Sequence, residues 1–329
     1  MTSRTTAMTN PTFPRLLGDI GGTNARFAWQ EVAQALPADV ATYACAQQGS
    51  LLDTIRHYLA AHDKPAPRWC GLGIATPVTG DFVQMTNHPW AFSIAGLQRE
   101  LGLERLTVIN DFTALALALP TLTAADLHPI GGGTPAPYGA IAVIGPGTGL
   151  GVSGLIPSGA ENMAPISGEG GHVSLAATNA HEAAVLERLR ERFGHPSAER
   201  ALSGPGLVNL YEAVCRLAGR PIGTLGPADV IERARSAQDS CCVDALGLFF
   251  GFLGSVAGNL ALTLGARGGL YIGGGIVPRL LPELERSAFR ERFEAKGRYR
   301  DYLAAIPTWV IHAEVSPALA GVARALDMP

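Results

Sequence analysis

The sequence predicts an α/β protein organised as two domains. Short apolar runs rich in β-branched residues, of the length of buried strands, alternate with segments that have the apolar spacing of helices. A glycine-rich turn between two such strands occurs early in each half, at Leu16–Trp29 and at Ala140–Ile156, which suggests a duplicated architecture. The length of 329 residues suits two domains, or one large one, with ample core. Pro120 and the polar stretch Thr121–Asp126 indicate the change of domain.

The composition excludes several classes of protein. Only 16% of the residues are charged and the net charge is −3, so the chain has no electrostatic footprint for nucleic acid. The five cysteines lack CxxC spacing, which argues against a disulfide framework or a thiolate zinc site and indicates a reducing cytoplasm. Met1–Pro14 contains no apolar run of signal-peptide length and is interpreted as a flexible tail.

One segment, Ala245–Leu264, is long and uncharged enough to imitate a membrane span. Its glycines form one stripe along a helix: Gly247, Gly251, Gly254 and Gly258. Such a stripe lets another backbone approach closely, in a membrane or in a packed core. The polar residues within the segment and the lack of flanking Lys or Arg favour a core helix.

In the first half, Leu16–Trp29 predicts a hairpin whose glycine turn exposes backbone N–H groups. Ser50–Ala61 has the apolar spacing of a helix. The strand candidates that follow are Trp69–Ala75, Phe82–Met85 and Leu106–Ile109. The last of these ends at Asn110 and Asp111, where a helical pattern begins.

In the second half, the loop Gly145–Gly151 separates two strands, Ala140–Ile144 and Val152–Ile156. Glu182–Phe193 is an amphipathic helix that ends at Gly194. A last core strand, Leu270–Ile272, opens into the glycine-rich segment Gly273–Pro278. The C-terminal helix Pro317–Leu326 is expected to fold back on the first domain.

Asn110 and Asp111 follow a strand, at the position where open α/β sheets bind their ligands. A carboxylate at this position can take a proton from a substrate hydroxyl. The alternative is that Asp111 is only the N-cap of the next helix.

Neither glycine loop fits the common phosphate fingerprints, since the chain has no GxxxxGK[ST] and Gly145–Gly151 is not GxGxxG. Adjacent N–H groups of a glycine turn can nevertheless hold an anion, and Thr23 and Thr148 each add a hydroxyl. Asp19 would repel a phosphate in direct contact, so a role beside Mg²⁺ is the more reasonable hypothesis. The alternative is a pair of purely structural turns.

Glu169 and His172 lie three residues apart among glycines, without further Cys or His nearby to complete a metal site. Hydrogen bonding to a polyhydroxylated ligand is the better hypothesis for this pair. Ser197–Arg200 follows the end of a helix and, from the residues alone, is interpreted as a solvated surface turn.

Seven motifs follow one another along the chain: GDIGGTNAR (Gly18–Arg26), TNHPWAFS (Thr86–Ser93), INDFTA (Ile109–Ala114), GTGLG (Gly147–Gly151), GEGGH (Gly168–His172), SAERALSGPGL (Ser197–Leu207) and GGGIVPR (Gly273–Arg279). In these motifs and their order the chain resembles, from Arg15 to Leu326, the bacterial glucokinases of the hexokinase-like type. The resemblance implies an α/β, two-domain actin/hexokinase-like (ribonuclease H-like) fold with an interdomain cleft. The small domain would comprise residues 15–121, completed by a C-terminal helix in 313–329, and the large domain residues 122–312.

The resemblance also implies the ligands, ATP and glucose, and the residues that bind them. Asp111 would be the general base, and the sugar ligands would be Asn110, Glu169, His172 and Glu199. The residues near the terminal phosphates would be Gly18, Asp19, Ile20, Gly21, Gly22 and Thr23. The second phosphate loop would be Gly147, Thr148 and Gly149, and adenosine would lie near Gly274 and Gly275. Mg²⁺ would arrive with ATP, and Asp19 would contact the groups bound to Mg²⁺ rather than the ion itself. No metal site formed by protein side chains is expected. The related repressor-kinase group has a cysteine-rich zinc motif after its Glu/His pair, and since no cysteine lies between Cys70 and Cys215, no zinc is predicted.

The activity implied is phosphorylation of glucose to glucose 6-phosphate, in glycolysis, by a cytoplasmic homodimer that binds neither nucleic acid nor membrane. The alternatives on the same fold are a kinase for another hexose and a non-catalytic sugar sensor. A transcriptional regulator would need a helix-turn-helix, for which Met1–Arg15 is too short. An assembly ATPase would need the glycine hairpins but neither Asn110-Asp111 nor the Glu-x-x-His motif.

Overall fold

A computed structural model describes residues 12–33, 35–86, 88–159 and 162–328. The chain forms two compact units. The first unit consists of the chain up to Leu122 together with the chain from Val315 onward, and the second unit is Thr123–Glu314.

The first unit contains a five-stranded sheet. Its strands are β1 (Arg15–Ile20), β2 (Asn24–Gln30), β3 (Ala38–Ala44), β4 (Trp69–Ile74) and β7 (Arg105–Asn110), and a separate hairpin is made by β5 (Phe82–Gln84) and β6 (Ala91–Ser93). The helices are α1 (Leu51–Ala61), α2 (Ile94–Glu100) and α3 (Asp111–Ala118). The strand order is β3-β2-β1-β4-β7, with β3, β2 and β1 antiparallel and β1, β4 and β7 parallel. The predicted hairpin, strands and helix are therefore confirmed.

The second unit repeats this plan. Its strands are β8 (Leu127–Pro129), β9 (Ile141–Pro146), β10 (Leu150–Pro157), β11 (Met163–Ser167), β12 (Gly269–Ile272) and β13 (Thr308–Ile311). Its helices are α4 (Ala180–Phe193), α5 (Gly204–Leu217), α6 (Pro227–Arg235), α7 (Ser240–Leu264), α8 (Leu281–Arg286), α9 (Phe289–Glu294) and α10 (Arg300–Ala304). The order β11-β10-β9-β12-β13-β8 again joins three antiparallel strands to two parallel ones and adds β8 at the edge. The duplicated architecture is thus visible in the strand order.

The glycine loop of the second unit is shorter than predicted. β9 continues to Pro146 and β10 starts at Leu150, with Leu150 paired to Pro146 and Gly151 to Gly145. Only Gly147–Gly149 remain as the turn, because glycine in an extended conformation can continue a strand pairing.

Helix α7 is long and apolar enough to cross a membrane by length and composition, but 78% of its most apolar stretch is buried. Two glycines of its stripe, Gly254 and Gly258, pack closely against α9. A Cβ at Gly254 would overlap Phe289 O, and one at Gly258 would lie 2.5 Å from Phe293 O. The stripe therefore packs one backbone against another within the second unit, as the core-helix prediction requires.

The C-terminal helix α11 (Ala318–Asp327) returns to the first unit. It packs on α3 so closely that a Cβ at Gly321 would overlap Ala114 O. Residues 1–11 of the predicted flexible tail lie outside the described residues. Phe13 and Pro14, also assigned to that tail, are packed instead: Phe13 is buried and Pro14 O accepts a hydrogen bond from Arg68 N at 3.0 Å.

Candidate active site

The first unit brings two predicted site segments to one edge of its sheet. The parallel strands β1, β4 and β7 end in register, with Ile20 opposite Ile74 and Ile74 opposite Asn110. The turn Gly21–Thr23 follows β1 at this edge and is closed by a hydrogen bond from Gly21 N to Asn24 O at 2.9 Å. Side chains that follow these strand ends can therefore face a common ligand.

Asn110, not Asp111, caps helix α3. Its Oδ1 accepts hydrogen bonds from Phe112 N at 2.9 Å and from Thr113 N at 3.3 Å. Asp111 is the first helical residue, and its Oδ1 accepts a hydrogen bond from Phe112 N at 2.9 Å. The N-terminus of a helix stabilises a negative charge by about 0.3–1 kcal/mol, and the Asp111 carboxylate lies at such an N-terminus. The helix-cap alternative for Asp111 is wrong, because its neighbour holds that position.

The capping role of Asn110 limits what its side chain can offer a ligand. Because Oδ1 is used by the helix, the amide Nδ2 is the group that can donate to a sugar oxygen. Nδ2 also points to Thr76 O, at 3.5 Å. Thr76 is 5% exposed and its hydroxyl donates to Gln84 O at 3.1 Å, which ties the segment after β4 to β5. Thr76 is not among the residues predicted from the sequence, although its position just beyond a strand end is a signal that could have indicated it.

Asp19 lies on β1 and is 9% exposed. Its Oδ2 accepts a hydrogen bond from Ser316 Oγ at 2.7 Å and contacts Arg26 Nη1 at 3.3 Å. Among the described residues both contacts use Oδ2, so Oδ1 is the oxygen available for another group. The carboxylate is thus held in place from two sides, by β2 and by the segment before α11.

Three residues predicted to lie near the phosphates, Gly18, Asp19 and Ile20, belong to strand β1. Gly18 and Ile20 are buried within β1, between β2 and β4. A Cβ at Gly18 would be 2.6 Å from Leu72 Cδ2, so this glycine is explained by packing between strands. The residues of the turn itself are Gly21, Gly22 and Thr23.

In the second unit, several predicted site segments contact the turn Gly147–Gly149. Within the turn, Gly147 N donates to Gly149 O at 2.8 Å. Glu199 Oε2 accepts a hydrogen bond from Leu150 N at 2.9 Å, directly after the turn. The interpretation of the Glu199 segment as a solvated surface turn is therefore wrong, since this side chain binds backbone.

The segment that contains Gly274 and Gly275 also meets this turn. Gly274 has a φ of +79°, and a Cβ there would overlap Pro146 O, so glycine is required for both conformation and space. Ile276 N donates to the same Pro146 carbonyl at 3.3 Å. The predicted adenosine segment and the predicted phosphate turn are therefore neighbours.

Glu169 and His172 flank a single 3₁₀ turn, in which His172 N donates to Glu169 O at 3.0 Å. The turn packs on β10 through its glycines, because a Cβ at Gly171 would overlap Leu150 O. The side chains of Glu169 and His172 are exposed. The backbone joins this turn to the Glu199 segment, since Ala198 N donates to Val173 O at 2.9 Å.

The described residues contain no group of three or more His, Cys, Asp or Glu side chains that could hold a metal ion. All five cysteines are buried free thiols. The predicted absence of zinc remains a prediction.

Comparison with known proteins places the chain in a family. The sequence model of the glucokinase family matches residues 16–328. The glucokinase of Aromatoleum aromaticum is 54% identical over 317 residues, covering 96% of this chain and 95% of the relative. That of Chromobacterium violaceum is 51% identical over 314 residues, covering 95% and 89%.

Solved structures confirm the actin/hexokinase-like α/β fold. A glucokinase from an Antarctic psychrotroph has a TM-score of 0.85 at 38% identity and covers 95% of this chain and 98% of that one. A ROK-family glucokinase from Streptomyces griseus, solved with glucose and AMPPNP, has a TM-score of 0.65 at 19% identity, covers 95% and 99%, and shows likeness of fold. The extent of the family match and the identity to these relatives mean that this chain belongs to the glucokinase family.

Proposed function

We propose that the chain transfers the γ-phosphoryl group of ATP to the 6-hydroxyl of glucose, with Asp111 as the general base. The observation that carries this proposal is the position of Asp111. It begins α3 directly after β7, at the edge where β1 delivers the turn Gly21–Thr23 in register. Membership of the glucokinase family and the complexes of its structural neighbours with glucose and AMPPNP support the choice of substrates.

Phosphoryl transfer depends on positioning and charge neutralisation more than on covalent participation by the protein. Asp111 aligns the attacking oxygen and accepts its proton late in the step. Asn110 donates its Nδ2 hydrogens to a neighbouring sugar oxygen, while its Oδ1 keeps the helix N-terminus formed. The Asn110 cap therefore fixes the position of its own Nδ2 and of the neighbouring Asp111 carboxylate at the same helix N-terminus.

Glu169, His172 and Glu199 bind the remaining hydroxyls of the sugar. Their carboxylate and imidazole groups give a pocket that accepts and donates hydrogen bonds in fixed directions. A bound sugar that lacks a matching hydroxyl excludes water from one of these groups and leaves it unpaired, which is the physical basis of specificity in such a site.

The turns Gly21–Thr23 and Gly147–Gly149 hold the phosphates of ATP through backbone N–H groups, and Gly274 and Gly275 lie beside adenosine. Mg²⁺ enters with ATP and neutralises phosphate charge. Asp19 fits such an ion, because it is a nearly buried carboxylate with Oδ1 available, and it would act through a water on the metal.

The first test is glucose-dependent ATP turnover by the purified protein. Asp111→Asn should lower kcat by at least the ~10²–10⁴-fold typical of a lost general base, with glucose binding retained by calorimetry. The amide keeps Oδ1 as an acceptor for Phe112 N, so the helix should survive. The matched control is Asp53→Asn, another first-turn carboxylate of a helix in the same unit, which should keep wild-type kcat.

A near-normal kcat in Asp111→Asn would refute the assignment of the base. Glucose binding without turnover in the wild-type protein would favour the non-catalytic sugar sensor. Turnover of ATP that is independent of glucose would favour the assembly ATPase.

A further inference from the structure

We infer that Glu199 has a second role, in which it positions the turn Gly147–Gly149 and so links occupancy of the sugar site to the affinity for nucleotide. The inference rests on the proposed function, which places Glu199 among the sugar ligands and this turn among the phosphate ligands. If the nucleotide and sugar sites were built on independent segments, a change at Glu199 would affect glucose alone.

The carboxylate of Glu199 is seated on the turn itself. Its Oε2 accepts the hydrogen bond from Leu150 N at 2.9 Å. A Cβ at Gly149 would lie only 2.5 Å from the same oxygen and 3.4 Å from Cδ. Any side chain at position 149 would therefore displace the carboxylate, so the shape of the turn and the position of Glu199 depend on each other.

The segment that carries Glu199 also forms a hydrogen bond to the other end of the turn, at Gly147. Gly204 N donates to Gly147 O at 2.8 Å. Between these two points Ser203 stiffens the segment, since its hydroxyl donates to Glu199 O at 2.9 Å and accepts from Gly206 N at 3.0 Å as the cap of α5. The turn is therefore held at the Gly147 carbonyl and at Leu150 N, directly after Gly149, by one short piece of chain, Glu199–Gly204.

A carboxylate has two oxygens, and here they have separate tasks. Oε2 is used by the backbone after the turn, which leaves Oε1 for a sugar hydroxyl. A hydroxyl bound to Oε1 restrains the side chain, and through Oε2 it restrains the turn. The hydroxyl also shields part of a negative charge that would otherwise repel the phosphates of ATP. Both effects act in the same direction, so bound glucose should tighten nucleotide binding. By thermodynamic linkage, bound nucleotide must then tighten glucose binding by the same factor.

Glu169 offers a matched contrast. It is exposed and precedes a separate 3₁₀ turn, where its backbone carbonyl accepts a hydrogen bond from His172 N. Among the described residues no hydrogen bond connects its side chain to Gly147–Gly149. Glu169 should therefore serve the sugar alone.

The test is calorimetric titration of AMPPNP with and without saturating glucose, on the wild-type chain, Glu199→Asp, Glu199→Gln and Glu169→Asp. Asp is one methylene shorter and cannot reach both Leu150 N and a sugar, whereas Gln can still accept from Leu150 N. In the wild type, glucose should tighten AMPPNP binding within the roughly 5- to 150-fold range usual for coupled sites. In Glu199→Asp, glucose should tighten AMPPNP binding by less than about 2-fold. In Glu199→Gln part of the wild-type effect should remain, and in Glu169→Asp the whole effect should remain once glucose is saturating.

A second pair of variants approaches the same contact from the turn. Gly149→Ala should weaken glucose binding in nucleotide-free protein, because its methyl group displaces the Glu199 carboxylate. Gly147→Ala, where the nearest atom to a Cβ is Gly275 N at 4.0 Å, should leave that affinity unchanged. Circular dichroism and thermal melting confirm that each variant is folded before binding is compared.

The inference would be overturned if Glu199→Asp showed the same coupling factor as the wild type, or if Glu169→Asp lost as much of the coupling as Glu199→Asp. Equal glucose affinities of Gly149→Ala and Gly147→Ala would also overturn it. An absence of coupling in a wild-type chain that phosphorylates glucose would overturn it too and leave the proposed function intact. A wild-type chain that neither binds nor phosphorylates glucose would instead remove the proposed function.

Discussion

The glycine stripe of α7 allows one substitution to be tested with opposite outcomes on the same helix. At Gly254 an added methyl group would overlap Phe289 O and lie 3.0 Å from Arg292 Cβ. Gly247 is exposed and lies about two helical turns before Gly254. Nothing lies within 4 Å of a Cβ added there. Gly254→Ala and Gly247→Ala therefore change the intrinsic helix propensity equally and the packing very differently.

The expected free energies follow from these contacts. In either variant, alanine favours the helix over glycine by about 1 kcal/mol. At Gly254 the methyl group meets the backbone of α9, and overpacking of this kind costs about 1–3 kcal/mol. Since a carbonyl cannot rotate away as a side chain can, we take the upper value and expect a net loss of about 2 kcal/mol. Gly247→Ala should gain about 0.5–1 kcal/mol.

Thermal and urea unfolding followed by circular dichroism measure this difference directly. A separation of about 3 kcal/mol between the two variants corresponds to roughly 6–12 °C in the melting temperature of a domain of this size. If Gly254→Ala were as stable as Gly247→Ala, the close packing of α9 on the stripe would be refuted.

Three further predictions concern charge, metal and assembly. Burial alone would raise the pKa of Glu182, but hydrogen bonds from Arg292 and Thr178 outweigh it and hold that pKa below its usual value. This stabilisation is present above the pKa of the unfolded chain and is lost as pH falls through the lower folded pKa. Glu182→Gln should therefore cost about 3–5 kcal/mol at pH 7 and flatten the acid limb of a urea stability curve measured against pH, and an unchanged curve would refute the pairing. Chelation with EDTA should abolish turnover without changing the melting temperature, Mg²⁺ should restore it, and stoichiometric zinc in metal analysis would contradict the predicted absence of zinc. Light scattering should give twice the chain mass of 34.3 kDa if the expected homodimer forms.

Local chemistry was enough to predict much of the fold. The hairpin at Leu16–Trp29 follows from two apolar runs around glycines, and the helix after Ser50 follows from apolar spacing and a capping serine, whose hydroxyl accepts from Asp53 N at 3.0 Å. The C-terminal helix was equally clear in outline. These features depend on residues close together in the sequence, so their physical causes can be read from it.

The roles of individual side chains depended on residues far apart in the chain. Whether Asn110 or Asp111 caps α3 could not be decided from composition, because both residue types suit that position. The close packing of Gly18 against Leu72 follows only from the pairing of β1 with β4, which brings together residues 54 positions apart. The contact between Glu199 and Leu150 N spans 49 residues and has no local signal in the sequence. Only the tertiary structure could assign it, because a carboxylate in a surface-like turn becomes a structural ligand when another segment presents an N–H group to it.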